Sequence, residues 1–333
     1  MVKETFTLQW HLSENCNLKC LHCYQENHKP ICLNYKKLEK IYNDYKELLK
    51  VLDKRGHINI TGGEPLCNPY LFKILDLIKK DSNLISFSIL TNGTLINEEI
   101  AKKIKSYNPS YVQVSLEGGK RTNDYIRGKG TYKKIGNAIK LLNKEGIYTS
   151  ISFTANHLNY KEFKKVVKYG EKLKVNSIWS DRFIPLGSSK DKELTLSLDE
   201  TKEYLKILGE ERRKLKFKNS KTNVSMVRAL QFKETNDIPY SCSCASSLLT
   251  VMENGDLVPC RRMPIVVGNL FKDSMINLYK NSEILKDLRK EYIPEDCKNC
   301  EHSNSCKGGL KCLTYALTNN YKLKDVGCDL WKI

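Results

Sequence analysis

Residues 6–23 read Phe6-Thr-Leu-Gln-Trp-His-Leu12-Ser-Glu-Asn-Cys16-Asn-Leu-Lys-Cys20-Leu-His-Cys23. The first seven alternate apolar and polar side chains, which is the period of a β-strand. Ser-Glu-Asn closes the strand, and a C-x3-C-x2-C loop follows at once. Three thiolates this close can converge on three irons of a cubane cluster and leave the fourth iron bare, whereas an electron-transfer cluster takes four cysteines. A bare iron can bind an external ligand, which a reactive cluster needs. The competing reading is a zinc site with His22 or His28 as fourth ligand. Cys32, the next cysteine, breaks the paired spacing such a site usually shows.

Working outward, strand-like and helix-like segments alternate through about the first 190 residues. A helix over Asn34–Leu52 carries Leu38, Ile41, Tyr45 and Leu48 on one face. Strands follow at His57–Gly63, Ile85–Gly93, Tyr111–Gly119, Tyr148–Asn156 and Ser177–Gly187, with helical segments between them. One of these helices is stopped by Gly146. Such alternation predicts an α/β fold with a parallel sheet and crossover helices. Six units are too few for a closed eight-fold barrel and predict an open, partial (βα)6 TIM-like barrel over residues 1–194. Chemistry in such folds sits at the C-terminal strand ends. The cysteine loop, Gly62-Gly63-Glu64-Pro65 and Thr91-Asn92-Gly93 all fall there.

Residues 195–237 read as a helical connector, basic towards its end. From 238 to 333 the units vanish, little core is evident, and cysteines dominate, so bound metal is expected to organise this part.

The chain has 333 residues, enough to bury a core. No run approaches the roughly 18 apolar residues of a membrane span, and the N-terminal stretch lacks a signal-peptide core, so a cytoplasmic location is expected. The net charge is +18, with the lysines spread over amphipathic helices. No stacking-aromatic motif accompanies them, which argues against nucleic acid. The 13 cysteines are an odd number, which argues against a disulfide framework. Three cluster at the start and eight in the last hundred residues, while residues 68–241 contain none.

The C-x3-C-x2-C loop after the first strand resembles the signature of the radical S-adenosylmethionine (SAM) superfamily. The resemblance implies a [4Fe-4S] cluster on Cys16, Cys20 and Cys23 that binds SAM and cleaves it to a 5′-deoxyadenosyl radical, which removes hydrogen from an unactivated C–H bond. The cofactor carries that chemistry and the protein aims it. By the same resemblance, His22 packs on the adenine and Gly62-Gly63-Glu64 meets the SAM amine. Ser115, in Ser-Leu-Glu-Gly, stands at the end of strand four. Arg127 pairs with the SAM carboxylate, against a plain alternative as a surface charge. Leu186 lies near the adenine.

The C-terminal cysteines resemble a SPASM domain, the auxiliary-cluster extension of these enzymes. The alternative is a set of zinc ribbons. Met252–Cys260 reads as a hairpin leading into Cys260. The resemblance assigns Cys242, Cys244, Cys260 and Cys312 to a nearer auxiliary [4Fe-4S] cluster, and Cys297, Cys300, Cys306 and Cys328 to a farther one. Five residues separate Cys306 from Cys312 where the family usually has three, and the close Cys242–Cys244 pair leaves room for one free thiol. Enough thiols for full ligation favours electron transfer as the role of both clusters.

The family resemblance implies an oxidoreductase that modifies a peptide or protein, by a crosslink or another oxidative change. It also implies a reducing partner such as flavodoxin or ferredoxin. The first strand begins near residue 5, so recognition of a precursor calls for a separate leader-peptide-binding protein, the basic surface or no leader at all. Arg261 and Arg262 stand where sulfatase-maturing relatives carry an acid after the cysteine, which argues against formylglycine formation. They could bind a carboxylate or a peptide backbone, or merely offset cluster charge. Cys32 and Cys67 remain outside both sets. Cys67 could donate a hydrogen atom, as an epimerase needs, or simply pack. Alternatives are a peptide epimerase, an enzyme acting on a small molecule such as a tetrapyrrole side chain or an amino sugar, and a non-enzymatic carrier organised by zinc or iron–sulfur.

Overall fold

A computed structural model describes residues 3–25, 32–189, 192–235, 239–240, 242–290 and 292–329. The expected 237/238 boundary and His28 lie outside these residues. Strand β1 (Thr5–His11) leads through the cysteine loop to helix α1 (Tyr35–Leu52), which Asn34 caps by accepting from the Lys37 N–H. The units then repeat: β2 (Arg55–Thr61), α2 (Leu71–Lys80), β3 (Ile85–Thr91), α3 (Glu98–Ser106) and β4 (Val112–Ser115). Two helices, α4 (Lys120–Arg127) and α5 (Thr131–Lys144), precede β5 (Thr149–Ala155). Helix α6 (Phe163–Lys172) leads to β6 (Ser177–Arg182).

Strands β1 to β6 pair in parallel in chain order. Their two faces differ. Phe6, Leu8, Trp10, Ile58, Ile60, Val112, Val114, Ile151, Phe153 and Ile178 are buried. They belong to one hydrophobic core with Leu38, Ile41, Tyr45 and Leu48 of α1. The other face carries Gln9, Asn59, Gln113, Ser152 and Trp179, which line a cavity. Register fixes this division, because Gln9 lies beside Asn59 and Ser152 beside Trp179, and laterally paired residues share a face. A buried parallel sheet is ordinarily apolar on both faces, so a polar inner face marks the side where ligands go.

The segment expected as a connector continues the sheet. Helix α7 (Leu198–Phe217) starts at a capping box between Ser197 and Glu200. It leads to β7 (Asn223–Ser225), which pairs in parallel with β6. The C-terminal region also differs from the sequence-based expectation of little core. Strand β8 (Leu248–Val251) pairs in parallel with β1, on the side away from β2. It turns at Gly255 into β9 (Asp256–Val258), and β10 (Gly268–Asn269) adds antiparallel to β9. Among the described residues the ten strands form one open sheet, ordered β10-β9-β8-β1-β2-β3-β4-β5-β6-β7.

Leu249, Val251, Leu257, Met263 and Leu270 are buried in the same core as the barrel strands. Four short helices follow, α8 (Met275–Asn281), α9 (Glu283–Arg289), α10 (Ser303–Cys306) and α11 (Lys311–Thr318). No described helix is long and apolar enough to cross a membrane.

Candidate active site

The cysteine loop is locked to the turn after β2 by backbone hydrogen bonds. Gly63 N–H donates to Ser13 C=O at 2.8 Å and Glu64 N–H to Asn15 C=O at 2.8 Å. A Cβ on Gly63 would stand 2.3 Å from the Asn15 carbonyl oxygen, and Gly62 has φ +136°. Both positions therefore require glycine. The glycines let two loops touch, and both also line the cavity.

Glu64 is placed otherwise than the family resemblance implies. Its carboxylate is fully buried and does not line the cavity. Oε1 accepts from Thr91 Oγ1 at 2.7 Å, and Oε2 accepts from the Asn92 backbone N–H at 2.7 Å. Asn92 in turn donates to Asn17 Oδ1 at 2.9 Å and lies 3.9 Å from Cys16 Sγ. Glu64 thus braces the cysteine loop through β3.

Cys16, Cys20 and Cys23 wall one end of a cavity of about 360 Å³. His22, Ser115, Arg127 and Leu186 line it as well. Burial pushes the Cys16 thiol up to about 12, and it raises Cys20 and Cys23 too. Thiols so desolvated ionise only against a cation or metal. Four buried nitrogens of lining side chains have no hydrogen-bond partner: His22 Nδ1, Gln25 Nε2, Arg228 Nε and Arg261 Nη1. Unmet polar groups around a roomy cavity are costly unless a ligand meets them. Three thiols with nearby orphaned donors fit a cluster that carries a polar nucleoside ligand.

Arg127 is buried rather than exposed. Its Nε and Nη2 both reach Glu117 Oε1, at 3.2 and 2.6 Å, and Nη1 lies 3.8 Å from Cys20 Sγ. His22 Nε2 meets the same Glu117 oxygen at 3.2 Å. Burial opposes the Glu117 charge, but Arg127 and His22 hold its carboxyl down at about 2. Glu117 Oε2 accepts from the Thr154 N–H at 2.9 Å. One carboxylate therefore fixes β4, β5, α4 and the cysteine loop together.

Cys242, Cys244, Cys260 and Cys312 line the same cavity as the first three thiols. Cys297, Cys300, Cys306 and Cys328 surround a second, separate pocket. The two pockets thus divide the eight C-terminal cysteines into two sets of four. The longer Cys306–Cys312 spacing has a physical reason. Lys307, Gly308 and Gly309 all adopt positive φ, so the chain turns sharply after α10. Cys306 is left at the second pocket, and Cys312 enters the first turn of α11 facing the main cavity. Among the described residues no three His, Cys, Asp or Glu side chains are grouped to hold a single metal ion.

Cys32 and Cys67 line neither cavity. Cys67 lies in a short 3-10 turn at Pro65–Cys67, and Cys32 bridges Ser13.

Sequence reading missed Glu117, Tyr24, Trp179, Arg228 and Tyr240. Tyr24 directly follows Cys23, and its hydroxyl donates to the Gly62 carbonyl at 2.9 Å. Trp179 shares the polar strand face, a signal present in the alternation itself. Arg228 and Tyr240 carry no local signal.

The chain matches the radical SAM superfamily over residues 10–170 and an iron–sulfur cluster-binding domain, SPASM, over residues 242–301. It is 32% identical to the Fe-coproporphyrin III synthase of Methanosarcina barkeri, across 97% of this chain and 87% of that protein. It is 26% identical to mycofactocin maturase MftC of Mycobacterium tuberculosis, across 91% of this chain and 77% of that one. The solved structure of native anSMEcpe with bound AdoMet has a TM-score of 0.81 at 24% identity, covering 98% of this chain and 95% of the other.

Proposed function

Since the chain belongs to the radical SAM superfamily and carries a SPASM domain, we propose that it reductively cleaves SAM and removes hydrogen from a peptide side chain, installing a crosslink or another oxidative modification. The radical SAM domain binds a [4Fe-4S] cluster and SAM, and the SPASM domain binds iron–sulfur. When bound, these groups supply one-electron cleavage of the sulfonium, hydrogen-atom removal and a route for the electron left on product.

One observation carries the reading: Cys16, Cys20 and Cys23 share a single cavity with Cys242, Cys244, Cys260 and Cys312. The first three would hold the SAM-binding cluster and the other four the nearer auxiliary cluster. Cys297, Cys300, Cys306 and Cys328 would hold the farther one, at the second pocket. Gly62, Gly63, Ser115, Arg127, Leu186 and His22 supply the SAM-facing wall. Glu117 acts as a positioning residue for Arg127 and His22. An electron-donor protein such as flavodoxin or ferredoxin supplies the reducing equivalent.

Anaerobically reconstituted protein with SAM and dithionite is expected to form 5′-deoxyadenosine. Cys16→Ala, Cys20→Ala or Cys23→Ala abolishes it. With a precursor peptide, a crosslink appears as the loss of two hydrogen atoms. Unchanged mass with deuterium uptake from solvent identifies epimerisation instead. Wild-type protein that takes up iron yet leaves SAM intact sinks the reading.

A second reading is oxidation of a tetrapyrrole side chain. It is favoured by the 32% identity, along nearly the whole chain, to a protein named Fe-coproporphyrin III synthase. A change in porphyrin mass that depends on SAM decides for it.

A further inference from the structure

Five arginines crowd the cavity and its C-terminal wall, and most are paired. Arg127 is matched by Glu117. Arg182 is matched by Asp325. Arg262 donates to Asp181 Oδ2 at 2.5 Å and to the Arg182 carbonyl at 2.9 Å. Asp181 is thereby taken, and Arg228 Nε reaches it only at 3.8 Å.

Arg261 has no carboxylate partner among the described residues. Its guanidinium carbon lies 3.0 Å from the centroid of the Tyr24 ring, a close stack that fixes its plane. Tyr24 is itself anchored to Gly62. Arg261 Nη1 is shut off from solvent without a hydrogen-bond partner among the described residues, and so is Arg228 Nε. Both residues line the main cavity. Arg228 is held in place by Tyr240, to whose hydroxyl its Nη1 donates at 3.0 Å, and by stacking on Trp179. Arg261 lines the same cavity as Cys23 of the first thiol set and Cys312 of the second.

A rigid, unpaired guanidinium with a buried free N–H is built to receive a planar anion through two hydrogen bonds. We propose that Arg261, supported by Arg228, binds a carboxylate of the substrate and holds the reacting carbon between the two thiol sets. This rests on the radical SAM reading above and narrows its substrate to an organic acid. Peptides and tetrapyrroles both offer carboxylates, and the experiment separates them.

Full-length protein, reconstituted anaerobically, is titrated with two probe pairs. One is coproporphyrin III against its tetramethyl ester. The other is an N-acetylated hexapeptide with a free C-terminal carboxylate against its C-terminal amide. One free acid is expected to bind at least about tenfold tighter than its neutral partner, the size of a charge-assisted bidentate contact. The preference should vanish in Arg261→Gln and persist in part in Arg261→Lys. The pair that shows it identifies the source of the carboxylate.

No acid preference in either pair of wild-type protein overturns the proposal, and this comparison needs no variant to fold. A preference that survives in Arg261→Gln also overturns it. So does a variant in which only the auxiliary-cluster redox potential moves, because Arg261 then merely offsets cluster charge. Formation of 5′-deoxyadenosine by wild-type protein without any substrate tests the radical SAM reading separately.

Discussion

Arg182, at the end of β6, and Asp325, near the C-terminus, are 143 positions apart and form a buried two-point ion pair. Nη1 reaches Oδ1 at 2.8 Å and Nη2 reaches Oδ2 at 2.5 Å. Asp325 also accepts from the Leu310 and Gly327 N–H groups, at 2.8 and 2.9 Å. It lines the pocket formed by Cys297, Cys300, Cys306 and Cys328. The pair ties the outlying thiol set to the barrel.

Replacing Asp325 leaves a buried guanidinium without its partner, a loss of roughly 3–5 kcal/mol for a pair of this kind. Asp325→Ala is expected to lower the thermal midpoint and to reduce bound iron by one cluster. The SAM-dependent change in the electron paramagnetic resonance signal should remain. Full iron content in the variant would show that the pocket assembles without this contact.

Glu117→Gln should destabilise the chain by stranding Arg127. The effect depends on pH in a defined direction. The folded carboxyl sits at about 2, below its ordinary 4.5. Its stabilisation is complete above about pH 4.5 and is lost as pH falls towards 2. The thermal midpoints of wild type and variant should differ by a constant amount from pH 7 to about 4.5, then converge. Convergence already at pH 6 counts against the assignment.

Gly63→Ala places a methyl group against the Asn15 and Glu14 carbonyl oxygens. The loop carrying Cys16 must move, while the helices and sheet behind it need not. Circular dichroism should stay native while iron uptake at the first site falls. Normal uptake would mean that the loop tolerates the shift.

Cys67 lines neither cavity. Cys67→Ser is expected to leave both 5′-deoxyadenosine formation and product unchanged. Loss of deuterium exchange in that variant alone would restore its candidacy as a hydrogen donor.

The C-x3-C-x2-C spacing and the strand–helix rhythm were legible because each rests on local spacing, whereas the division of eight C-terminal cysteines into two sets of four came only from the family resemblance. The polar inner face of the sheet was half legible. Gln9, Asn59, Gln113 and Ser152 show the alternation, but alternation alone does not tell water from a cavity. For Glu64 and Arg127 the partners within the protein were not legible, for a shared reason. Each lies in a motif that points to a ligand, yet each turns to a partner on another strand, Asn92 in one case and Glu117 in the other.

The chain alone thus determined the reactive loop and the parallel units, since these follow from residue type at short range. Only the folded structure decided that β8 pairs with β1, across more than 200 residues, and brings Cys260 and Arg261 to the mouth of the first cysteine loop. Strand pairing at that distance depends on which edge is left open and which apolar face needs cover, and no local pattern encodes either. The same holds for Arg261. Its lack of a carboxylate partner among the described residues is visible only in the fold, where Glu117, Asp181 and Asp325 are taken by other arginines.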